Sequence, residues 1–217
     1  MLRSFPFTAE SYFSLFETYN DTIWPAQIVA YLFGIAIVLL AQRPMPAGGR
    51  IALAVLAVFW LWNGIVYHLL FFLQINFAAL GFAALFALQA LLLAGSAIVG
   101  RRQLRVGDDP VALTGLAFAL FALVIYPLLA WLAGHGWPGA AMFGVAPGPL
   151  TIFTFGVLLM LDGRAPLLLA IIPLLWALAA GSSAIVRLGA PEDWSLLLAG
   201  IVGFGLLVWK RRQQGRV

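Results

Sequence analysis

The chain has 217 residues, 64% of them hydrophobic and 9% charged, with a formal net charge of +4 and no cysteine. A mean hydropathy of +1.03 excludes a soluble domain, because so few charges cannot solvate a globular surface. The missing cysteine excludes disulfides, thiolate metal sites and cysteine nucleophiles. A pI of about 10.0 would suggest nucleic acid in a soluble protein; here the basic residues flank apolar stretches, and no RNA- or DNA-reading motif is present, so membrane orientation and anionic lipid account for them.

Residues 1–23 carry Glu10, Glu17 and Asp21 and lack an apolar h-region, so they read as an outer N-terminal segment and not as a cleavable signal peptide. A membrane helix needs about 20 apolar residues. Residues 24–41 supply the first, and Gln42 to Arg50, rich in Pro and Gly, a turn. Residues 51–99 hold no Asp, Glu, Lys or Arg, about twice one crossing, and are predicted to be a hairpin turning at Gln74-Ile75-Asn76. Gly100 to Pro110 is a loop in which Asp108 or Asp109 caps the next helix and Pro110 enters its first turn. The fourth span covers 111–133 and is predicted to kink at Pro127. Residues 134–149 are apolar yet dense in Gly and Pro. A fifth span over 139–161 is predicted to be broken around Pro147-Gly148-Pro149, either as a re-entrant lead-in to a half-helix or as a short tilted helix after a surface loop. Asp162-Gly163-Arg164 turns the chain into a sixth span, 165–184, containing Pro173. Arg187 to Asp193 form an outer loop. The last span, 194–209, has Trp194 and Trp209 as interface anchors, small residues at Ala199 and Gly203 for close packing, and a basic tail, 210–217.

The fold class is therefore an all-α polytopic bundle of about seven spans in one domain, 1–217. Ten of its twelve Lys/Arg residues fall in alternate gaps: Arg43 and Arg50; Arg101, Arg102 and Arg105; Arg164; and Lys210, Arg211, Arg212 and Arg216. Only Arg3 and Arg187 fall on the other side. The positive-inside rule then gives N-out and C-in, in keeping with a bacterial inner (plasma) membrane.

The spans contain essentially no ionised side chain, which leaves a proton-coupled mechanism few carriers. The candidate ligand-binding residues are Gln27, Asn63, Tyr67, His68, Asn76, His135, Thr151 and Thr154. Most are expected on the outer side, with His68 the one titratable group inside a long span. Each has a plainer reading as interhelical hydrogen-bonding glue, shared with Gln74 and Gln89. The start of a helix near Pro149 and Thr151 could offer free N–H groups, and Pro127, Pro147, Pro149 and Pro173 are candidate hinges or helix breaks. No HExxH, GxSxG, P-loop or DxD occurs. A metal site would need Glu17, His68 and His135 to converge from three segments, so no metal and no cofactor is expected.

Three strings, Phe16 to Gln27 (FETYNDTIWPAQ), Trp62 to Asn76 (WNGIVYHLLFFLQIN) and Phe143 to Gly156 (FGVAPGPLTIFTFG), together resemble a bacterial multi-pass membrane family known as domain of unknown function 6064. The resemblance covers nearly the whole chain and implies a single membrane domain of this size with no established activity. It also implies that relatives often place a cysteine between the two prolines where this chain has Gly148, which puts any thiol role in doubt here. The leading functional expectation is a passive permease or channel-like protein for a small neutral or weakly polar solute. The alternative is a non-transporting receptor, scaffold or assembly factor holding a ligand, lipid or partner protein. The lipid bilayer is the expected partner, with a small neutral solute and a second copy of the chain as further candidates.

Overall fold

The computed structural model describes residues 7–100, 102–164, 166–187 and 193–215, and for 183–187 the backbone alone. Arg3, Arg101 and Arg216 of the charge pattern lie outside the described residues. The regular elements are all helices: α1 (Ala9–Ile23), α2 (Ala26–Gln42), α3 (Gly48–Trp62), α4 (Ala79–Val99), α5 (Pro110–Leu120), α6 (Tyr126–Leu132), α7 (Pro147–Met160), α8 (Leu167–Arg187) and α9 (Asp193–Gln214). α3 runs on as a π-helix, Asn63–Phe71, and a 3-10 turn, Phe72–Gln74. α5 and α6 are joined by a π-helical stretch, Phe121–Ile125.

Four of these runs are long and apolar enough to cross a bilayer: Gly48–Gln74, Ala79–Val99, Pro110–Leu132 and Asp193–Gln214. The pair α1 and α2, bent by 85°, would make a fifth. Pro147–Met160 and Leu167–Ser182 are apolar but shorter. Large apolar side chains point outward along these helices, among them Leu32 at 62%, Leu91 at 70% and Ile98 at 75% exposure. A surface of that kind suits hydrocarbon and not water.

α7 explains the architecture. Every residue from Pro149 to Met160 is buried, so protein surrounds this helix on all sides. Its 14 residues rise about 21 Å, short of a hydrocarbon core of about 30 Å. A helix sheathed in protein need not match that thickness. It packs against α5, α9, α8 and α3. The approach to α5 is backbone to backbone: a methyl added at Gly156 would lie 2.6 Å from the Gly115 carbonyl oxygen, and one at Gly115 equally close to the Gly156 oxygen. On the α9 side, Gly203 leaves room for the Phe155 ring, 2.7 Å from an added methyl.

One end of α7 is shut by the basic loops. Leu104 and Leu161 form an antiparallel bridge. Arg105 N donates to Met160 O (3.1 Å), Asp162 N to Gln103 O (3.0 Å), and Val106 N to Ala41 O (3.2 Å). Lys210 Nζ donates to the carbonyls of Leu159 (3.0 Å) and Leu161 (2.8 Å), placing a cation where the α7 dipole is negative. Arg102 lies beside Asp162: burial lowers its guanidinium pKa and the Asp162 charge partly restores it.

Several expectations hold. The hairpin turns at 74–76, and Asp109 caps α5 by accepting from Val111 N (3.1 Å), with Pro110 in the first turn. Other stretches add detail. Before Trp24, Thr8 and Ser11 form a capping box that starts α1, and Leu15, Phe16, Tyr19 and Asn20 bury its inner face. The last helix begins at Asp193 and runs 22 residues, absorbing residues assigned above to the outer loop and the basic tail. Pro127 lies in the first turn of α6, directly after the π-helical stretch Phe121–Ile125, which accommodates its missing N–H. As expected, an irregular stretch, 133–146, leads into a short helix, and Pro147 and Pro149 occupy the first turn of α7, where φ is already suitable and a donor is not needed. Pro173 sits inside α8, which continues past it.

Candidate functional site

From Gly139 on, the irregular segment between α6 and α7 is buried or half-buried, and it is held by side chains from other elements. Irregular backbone leaves carbonyls that must find donors when buried. Tyr19 Oη donates to Val145 O (2.6 Å), and Asn20 Nδ2 to Pro138 O (2.5 Å) and Ala140 O (2.8 Å). Asn63 Nδ2 donates to Gly144 O and Phe59 O (both 2.9 Å). Trp62 Nε1 donates to Tyr19 Oη (3.0 Å), and Gln27 Nε2 to Asn20 O (2.9 Å). The three sequence strings are thus one device: the first two supply donors to the backbone of the third. Gly144 has φ of +76° and faces Ala30, so a side chain there would be both strained and obstructed.

Beside this clamp, at the end of the bundle opposite the basic loops, lies a cavity of about 300 Å³. α1 contributes Tyr12 and Phe16, and the π-helix and its turn contribute Tyr67, Phe72 and Asn76. Phe82 of α4, Tyr126 of α6 and Trp176 of α8 close the aromatic wall. Pro147 and Gly148 at the start of α7, and Asp193 at the start of α9, form its polar end. Tyr126 Oη donates to Asp193 Oδ1 at 2.6 Å, a short, charge-assisted geometry. The Asp193 oxygen is also 3.5 Å from where a Gly148 methyl would stand, so the carboxylate lies against the positive end of α7 while opening its own helix.

Of the residues singled out from sequence, Tyr67, Asn76 and Pro147 line this cavity. His68 lies directly behind its wall, fully buried, with ring centroids 5.2 Å from Trp176, 5.7 Å from Phe82 and 5.9 Å from Phe72. Among the described residues neither imidazole nitrogen has a hydrogen-bond partner, a cost of about 1–3 kcal/mol for a buried polar group. It sits on nine π-helical residues, a geometry that recurs at functional sites. The remaining candidates are engaged elsewhere. Gln27 and Asn63 belong to the clamp. Thr151 Oγ1 donates to Pro147 O and Thr154 Oγ1 to Leu150 O (both 2.8 Å), while Thr154 accepts from Trp60 Nε1 (2.9 Å). His135 stacks on Phe13 at 3.7 Å. Gln74 and Gln89 donate to Leu70 O and Leu169 O. The start of α7 is a poorer donor than expected, because of its first three residues only Gly148 has an N–H. Among the described residues no group of three His, Asp or Glu could hold a metal, so Glu17, His68 and His135 do not assemble one.

Sequence reasoning missed Tyr12, Tyr126, Trp176 and Asp193. Asp193 carried a readable signal, an acid at the start of an apolar run; the aromatics did not, because membrane-edge rings are common. No curated protein and no solved structure matches this chain. The model described as a family of unknown function, DUF6064, matches residues 9–217, and the chain belongs to that family.

Proposed function

We propose that this is a seven-crossing membrane protein, N-terminus outside and C-terminus in the cytoplasm, that binds a small molecule in a one-ended outer cavity without passing it across the bilayer. α2, α7 and α8 would add the crossings beyond the four long runs, and the alternation of Lys/Arg between gaps supports the orientation. The observation that carries the binding reading is the α7 column. Below the cavity its side chains are buried and apolar from Leu150 to Met160, apart from two threonines whose hydroxyls bond their own helix. Beyond Met160 the basic loops and Lys210 close the far end. A permease, the leading expectation from sequence, needs a polar path through that column or rearrangement about Pro127, Pro147 and Pro173.

The test is native mass spectrometry of the purified chain, paired with solute flux into proteoliposomes. A bound small molecule should survive extraction and be lost in Ala180→Phe, which fills the cavity, and flux should equal that of protein-free vesicles. Protein-dependent flux of any solute would refute the reading. Because the chain has no cysteine, single cysteines at Asn76 and Gly163 report topology directly: the first should label from outside, the second only after permeabilisation.

A further inference from the structure

We infer that the cavity takes a small molecule with an apolar body and a carbonyl oxygen, the oxygen accepting from the indole N–H of Trp176; this rests on the cavity being a binding site as proposed above. Among the described residues, several buried side-chain nitrogens and oxygens have no hydrogen-bond partner. Of these, only Trp176 Nε1 belongs to a residue that lines the cavity. An indole N–H donates and cannot accept, so only an acceptor completes it, and a buried donor left bare is costly.

The neighbours of Trp176 show why the protein does not complete it. Its ring meets Phe86 at 5.0 Å and Phe82 and His68 at 5.2 Å, each near perpendicular. The phenylalanines hold no acceptor oxygen or nitrogen, and neither His68 nitrogen bonds the indole. A water lodged there needs two to four polar partners, which rings do not supply. A carbonyl on an apolar body needs one bond, because burial of the body among Phe7, Phe16, Phe72, Phe82 and Leu196 supplies the rest. A hydrocarbon would gain the same burial and leave the indole bare. A volume of about 300 Å³ lies at the small end of ligand pockets, which suits one ring with a short carbonyl arm.

The experiment compares acetophenone with α-methylstyrene, which replaces the carbonyl oxygen by a methylene group. The full chain is studied in detergent, with 15N in its eight tryptophan indoles. By NMR, the indole signal missing from Trp176→Phe should move downfield saturably with acetophenone and little with α-methylstyrene. By calorimetric titration, the preference for acetophenone should be about two- to tenfold greater in the wild type than in Trp176→Phe. Partition into the micelle is common to both proteins and cancels. If Trp176→Phe folds poorly, the two ligands on the wild-type chain still decide, since the ketone alone should move a single indole proton downfield. Equal effects of the two ligands, or the same preference in Trp176→Phe, would overturn the carbonyl while keeping a binding cavity. An indole signal already at a hydrogen-bonded position without ligand, and unmoved by acetophenone, would assign the partner to water and overturn it as well. Saturable binding of neither ligand would sink the binding reading together with the ligand class.

Discussion

The reciprocal backbone contact between α5 and α7 lends itself to a sharp test. At the crossing of α5 and α7, a methyl at Gly156 would lie 2.6 Å from Gly115 O and 3.0 Å from Ala119 N. Ordinary carbon–oxygen contacts start at about 3.3 Å, so Gly156→Ala leaves a shortfall of about 0.7 Å. Both obstacles are backbone and cannot swing aside, so the helices must separate. A gap of that size forfeits a quarter to a half of each contact's dispersion energy along the seam. Overpacking of this kind costs about 1–3 kcal/mol. Alanine's better helix propensity offsets up to about 1 kcal/mol, and Gly81→Ala on α4, where the added methyl meets nothing within 4 Å, measures that term alone. Once the helices have parted, Gly115→Ala meets less resistance, since its own obstacle is Gly156 O at 2.6 Å. The double variant should therefore cost at least about 0.5 kcal/mol less than the sum of the singles. Reversible denaturant unfolding in one detergent would measure all five proteins. A Gly156→Ala variant as stable as Gly81→Ala, or strictly additive singles, would refute the backbone crossing.

Three other outcomes follow from named bonds. Tyr126→Phe removes a 2.6 Å donor from a buried carboxylate and should cost about 1.5–3 kcal/mol in the same assay; an unchanged midpoint would mean that Asp193 is held by its other partners. Asn63→Ala strips Gly144 O and Phe59 O of a donor and should speed amide exchange in 138–146 more than in α4, with a stability loss of about 1–2 kcal/mol; uniform exchange would contradict the clamp. Lys210→Met frees the Leu159 and Leu161 carbonyls and should raise thiol labelling of a cysteine placed at Leu104, whereas Lys210→Arg should not.

The long apolar runs, the turn at 74–76 and the Asp109 cap were legible because each depends on local composition: hydropathy over about 20 residues, a polar interruption, a cap beside proline. α7 was legible only as an anomaly. A 14-residue helix fails a length test that assumes lipid contact, and whether protein replaces lipid around it is settled by the packing of α5, α8, α9 and α3, while its lead-in is held from more than a hundred positions away, as by Tyr19 bonding Val145 O. Distance also hid the role of Asn63, whose partner Gly144 lies 81 positions on. An amide that satisfies a loop carbonyl and one that awaits a ligand have the same identity in sequence and differ only in what lies within 3 Å. His68 is the converse case. Its neighbours were unreadable, yet the reason for its prominence, a titratable ring in a charge-free stretch, survives folding: the described structure surrounds it with rings and offers its nitrogens nothing. The amide N–H groups of Asn20, Asn63 and Gln89 find backbone carbonyls at 2.5–2.9 Å, while the carbonyl oxygens of Asn63 and Gln89, both His68 nitrogens and Trp176 Nε1 find no partner among the described residues; of these groups Trp176 lines the cavity and His68 lies behind its wall, so a bound molecule has polarity to satisfy there.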